Sequence, residues 1–128
     1  MVFIFIVFSC KEKELGPLTE GYTSDSGFYV SYDSDPDPIP LNEEFVLGVE
    51  VYTDDSMSSP SSNITVEVDA TMPEHQHGMN VSPEALEVSD GRFEAEGMLF
   101  HMAGDWEIVV YVTGDEGTED IRFDVPLE

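Results

Sequence analysis

An all-β fold, two antiparallel sheets packed face to face, is what the sequence predicts, and three observations predict it. Apolar and polar residues alternate in short runs, clusters of Gly, Pro, Ser and Asp punctuate those runs, and no amphipathic stretch long enough for a helix appears. The runs are Phe28 to Tyr32, Phe45 to Tyr52, Ile64 to Val68, Phe93 to Ala95, Trp106 to Val112 and Ile121 to Val125, each rich in β-branched and aromatic residues. Turn clusters separate them: Asp33 to Pro38, Ser58 to Ser62, Ser89-Asp90-Gly91 and Gly114 to Gly117. Short strands at this spacing predict an immunoglobulin-like sandwich of about seven strands. Trp106, Ile108, Val110 and Val112 share one side of their strand and are expected to face the core.

The 128 residues suffice for one domain with its own core. Four Lys and Arg stand against 28 Asp and Glu, a formal charge of −24. Such a field repels phosphate backbones, which excludes nucleic acid as a partner, and it attracts cations without choosing among them.

Cys10 is the sole cysteine, so no internal disulfide is available. It follows the apolar run Val2 to Phe8 and Ser9, which is too short to span a bilayer but matches the end of a secretory leader. Val7-Phe8-Ser9-Cys10 resembles the lipobox of bacterial lipoproteins. That resemblance implies a leader over residues 1–10, acylation of Cys10, and a membrane partner reached through the lipid. It places the protein in the bacterial envelope, with Lys11 favouring the periplasmic face of the outer membrane in a Gram-negative cell. Residues 11–26, rich in Gly, Pro, Ser, Thr and Glu, are expected to form a flexible tether, and 27–128 the folded domain.

All three histidines and four of the six methionines fall between residues 72 and 102. They form two clusters: Met72, His75, His77 and Met79, then Met98, His101 and Met102. Imidazole and thioether together suit copper, Cu(I) above all, and thioether persists in an oxidising compartment where a thiol does not. In an extended segment His75, His77 and Met79 would share one side at Cα spacings of roughly 7 Å, near enough to converge. A regular strand over the second cluster would put Met98, Phe100 and Met102 on one face and His101 on the other. The competing role for Met98 and Met102, interleaved with Phe100, is core packing. Asp33-x-Asp35-x-Asp37 imitates the opening of a calcium loop, but Pro38 stands where the turn needs Gly.

Met72-Pro73-x-His75-x-His77-Gly78-Met79, Gly91-x-Phe93 and Gly97-Met98-x-Phe100-x-Met102-x-Gly104-x-Trp106 resemble the YtkA-like domain over roughly residues 27 to 126. The resemblance implies an immunoglobulin-like sandwich in exported bacterial proteins, similar to the FixH-type and CopC-like domains linked to copper handling. Ala103 departs from the family's usual Pro at that turn.

No thiol remains after acylation, and there is no Ser elbow and no phosphate loop, so the sequence reads as non-enzymatic. The expected function is copper binding by His75, His77 and Met79, completed by His101, Met98 or Met102. The protein would act as chaperone, buffer or assembly accessory for a copper-accepting envelope partner. The rival is a sandwich that docks another protein and holds no metal. Convergence separates them: a metal site needs three donors within mutual reach, a docking module an exposed apolar patch.

Overall fold

The alternating runs become strands because each buries one row of side chains against a second sheet and leaves the other row wet. The computed structural model describes residues 17–128; the leader, Cys10 and residues 11–16 of the expected tether lie outside them. Among the described residues nine strands form: β1 (Glu20–Tyr22), β2 (Tyr29–Asp35), β3 (Phe45–Tyr52), β4 (Thr65–Met72), β5 (His77–Gly78), β6 (Ala85–Ser89), β7 (Arg92–Met98), β8 (Gly104–Gly114) and β9 (Gly117–Leu127). One sheet has the order β1-β2-β3-β7-β6 and the other β5-β4-β8-β9, with every pairing antiparallel.

The all-β sandwich is as expected, with more strands than the alternation signalled. Trp106, Ile108, Val110 and Val112 are buried, as their period requires. They meet Val30, Leu47, Val49, Val51 and Phe93 of the facing sheet. In-register pairs Val30↔Val51, Val49↔Phe93 and Leu47↔Ala95 keep that inner face apolar across three strands.

On the outer face Arg92 of β7 spans β3 to reach Asp33 of β2, at 2.9 and 3.1 Å. Glu50 and Glu94 also bond it, at 3.0 and 3.2 Å. Gly48, lying between them on β3, makes the crossing feasible: a Cβ there would run into the guanidinium. The Asp33 bond, foremost, strengthens the hold of Arg92 on its proton. Asp33 and Asp35 thus belong to a paired strand, with Asp33 neutralised by Arg92, and they do not open a calcium loop.

Order begins before the expected boundary at Gly27. β1 adds to β2, and the turn after it is fastened to the opposite sheet by Glu119 of β9. The Glu119 carboxylate accepts bonds from the Thr23 hydroxyl at 2.6 Å, from Gly27 N at 3.0 Å and from Asp25 N at 3.2 Å. A three-residue strand carries no readable period, and this side-chain clasp is what makes the Gly- and Ser-rich stretch hold a fixed path.

The Thr23 bond, foremost, and the Gly27 and Asp25 amides lower the Glu119 pKa. A carboxylate depressed on folding stabilises the native state above its unfolded pKa, and this contribution fades as pH falls through the lower folded value. Glu119→Ala is expected to lower the melting temperature by roughly 4 °C at pH 7, about 1 kcal/mol. The gap from wild type should close as pH falls below the ordinary carboxylate range, as followed by thermal circular dichroism.

Candidate metal centre

Two short segments at one end of the sandwich carry the histidines. The first is the turn from β4 to β5. The Met72 carbonyl accepts bonds from both His75 N (3.0 Å) and Gln76 N (2.9 Å), and Gln76 takes φ +57 to bring the chain back. His77 then pairs with Met72. His75, His77 and Met79 therefore do not lie along one extended segment: His75 is in a tight turn and only His77–Gly78 is strand. Even so, the His75 and His77 rings stand 5.7 Å apart.

The second segment, residues 99–103, crosses from β7 in one sheet to β8 in the other. It is not a regular strand, because β7 ends at Met98 and β8 starts only at Gly104. Phe100 turns fully inward, stacking on Trp106 with centroids 4.4 Å apart and planes 3° off parallel. The backbone on either side of His101 is anchored. The Phe100 carbonyl accepts a bond from Asn42 N at 2.8 Å, and the Met102 carbonyl one from the Trp106 indole N–H at 2.9 Å. His101 is left half-buried, edge-on to Trp106 at 5.7 Å and 5.8 Å from the His77 ring.

His75, His77 and His101 thus form a row. With metal–imidazole bonds of about 2.0–2.1 Å, two rings sharing one ion have centroids roughly 5–6 Å apart, so each neighbouring pair already has the needed spacing. Their nitrogens do not yet converge: among the described residues no three His, Cys, Asp or Glu side chains form a ready cage. His75 and His77 are exposed and free to rotate, whereas His101 is fixed. Its Nδ1 is buried and, among the described residues, has no hydrogen-bond partner.

The thioethers behave differently from expectation. Met72 and Met98 are fully buried in the core, Met98 opposite Phe45, where packing accounts for them. Met79 and Met102 are half-buried and lie against the same core. Methionine's flexibility fits it to fill gaps between sheets. Of the expected mixed cluster, the three imidazoles come into a row, Met72 and Met98 are withdrawn into the core, and Met79 and Met102 stay half-buried close to that row in sequence.

Gly104 lets the two segments meet. It has φ +137, and a Cβ on it would sit 2.5 Å from the Met72 methyl carbon. A cavity of about 560 Å³ is lined in part by Trp106 and by the carboxylates Glu74, Asp105, Glu107 and Asp124. Sequence reasoning placed Trp106 in the core and missed its bond to Met102; a single indole two residues beyond a glycine was the available signal.

Fold and site together define a two-sheet, immunoglobulin-like domain that presents imidazoles at one end. The chain belongs to the YtkA-like family, whose model matches residues 34–111. Among solved structures it is similar to a copper-bound variant of FetP from uropathogenic Escherichia coli, with a TM-score of 0.51 at 9% identity, covering 88% of this chain and 91% of that one. As-isolated FetP, recombinantly expressed in the E. coli periplasm, gives 0.50 at 8% identity, covering 85% and 90%. At these identities the likeness is one of fold. No curated protein matches the chain in sequence.

Gly104→Ala is expected to cost about 1–3 kcal/mol, from the positive φ and the displaced Met72, and to move His101 away from His77. Chemical denaturation measures the first effect. Loss of the ring-to-ring nuclear Overhauser effect between His77 and His101 reports the second.

Proposed function

We propose that this chain is a non-enzymatic copper-binding module of the bacterial envelope, with His75, His77 and His101 as its donors. The observation that carries the reading is the row of three rings at spacings of 5.7 and 5.8 Å, drawn from two segments 24 residues apart between His77 and His101. Imidazole donors accept copper readily, and membership of the YtkA-like family and the fold shared with a copper-bound protein agree with it.

Copper is cargo in this reading. His101, set in the wall of the sandwich, provides a fixed donor, and the exposed His75 and His77 close onto the ion from the solvent side. A site open on that side releases its ion by ligand exchange, as an incoming partner with a better donor set replaces the mobile imidazoles one at a time. The acidic surface raises the local cation concentration and adds no selectivity. Met79 and Met102, next in sequence to Gly78 and His101, are the thioethers that would assist a softer Cu(I) ion.

Tethering at the membrane through an acylated Cys10 completes the proposal. The full chain would then enter the detergent phase in Triton X-114 partitioning, and Cys10→Ala would shift it to the aqueous phase; equal partitioning of the two removes the anchor.

Anaerobic Cu(I) titration of the full chain against a competing chelator tests the binding itself, with one equivalent bound expected. Because His77 is central to the row, His77→Ala should weaken binding by at least about tenfold and by more than His75→Ala does. Failure to compete with the chelator would favour the docking alternative. Its natural surface is β6, which leaves Leu86 and Val88 exposed at 59% and 55%.

A further inference from the structure

We propose that Trp106 is a positioning residue of this site: its indole N–H holds the Met102 carbonyl and its ring seats His101, so that it acts on metal binding through His101. The inference rests on the imidazole row being the copper site and identifies the group that sets the geometry of its fixed donor.

Four observations converge on the indole. Its N–H donates to the Met102 carbonyl at 2.9 Å, immediately after His101. Its ring meets the His101 ring edge to face, at 5.7 Å and 75°. It also stacks flat on Phe100, the residue immediately before His101. It is almost fully buried, so it cannot shift to follow a moving loop. The indole thus touches the residues before and after His101 as well as His101 itself. His101, with Nδ1 unpartnered, has no hydrogen bond of its own to orient that nitrogen. In most metal sites the second ring nitrogen of a ligating histidine is held by a carboxylate or carbonyl. Here the ring is oriented by the anchored backbone on both sides and by an aromatic face, and Trp106 supplies two of those three restraints.

A purely structural role for Trp106 would lower stability and weaken every donor alike. A positioning role predicts that loss of the N–H acts only through His101. The test compares full-length wild type, Trp106→Phe, His101→Ala and the double variant. Two readouts are taken, one on metal-free protein and one by anaerobic Cu(I) competition. In the metal-free protein the nuclear Overhauser effect between the His77 and His101 rings is expected in wild type and lost in Trp106→Phe. Copper affinity should fall about tenfold in Trp106→Phe, and the double variant should bind no more weakly than His101→Ala alone.

Losses that multiply in the double variant, or unchanged affinity in Trp106→Phe, would overturn the proposal. If Trp106→Phe fails to fold, β-(3-benzothienyl)alanine at position 106 replaces only the N–H by sulfur and keeps the ring shape; the same outcomes apply. Wild type that binds no copper refutes the copper reading. The metal-free measurement then still decides whether Trp106 sets His101, since a retained ring-to-ring signal in the variant refutes that separately.

Discussion

The stack of Trp106 on Phe100 governs the end of the sandwich where the histidines gather. Between Met98 and Gly104 the chain leaves one sheet and enters the other, and a crossing of this kind exposes backbone groups that neither ladder can pair. Phe100 secures it by filling the core, Asn42 and the indole cap two of its carbonyls, and Gly104 supplies the backbone conformation that ends it. His101 is held half-buried between these two anchored carbonyls. The opposite half of the row depends on the Met72 carbonyl, which closes the β4–β5 turn and so fixes where His75 and His77 emerge.

Charge shapes the rest of the surface. Lys11 and Lys13 are balanced by Glu12 and Glu14, so the formal charge of −24 falls on the residues beyond 16. The two arginines there are both committed to carboxylates, Arg92 to Asp33, Glu50 and Glu94, and Arg122 to Glu107 and Asp120. What remains is a surface of uncompensated carboxylates around a small cluster of rings. Such a surface repels copies of itself and steers cations at low ionic strength.

Strands with long, regular alternation were legible in the sequence: β3, β8 and β9 each bury the side chains their period marks. β1 and β5, of three and two residues, are too short to show a period, and they exist because Glu119 and the β4 turn place them. β6 alternates, yet its larger apolar residues Leu86 and Val88 face outward, so the pattern points away from the core it helps to cover. For the site, the concentration of histidines between residues 72 and 102 marked the rings that the fold brings into a row. The division of the methionines between core and rim was not legible, because a thioether serves either role equally well and only the three-dimensional crossing decides.

Copper K-edge X-ray absorption of the Cu(I)-loaded full chain tests the central claim most directly, since imidazole and thioether ligation differ in both bond length and scattering. An imidazole site predicts at least two nitrogen scatterers near 2.0 Å, with the outer-shell multiple scattering typical of histidine rings. A first shell of sulfur alone, near about 2.3 Å, would contradict it and make the methionines, not the imidazoles, the ligands.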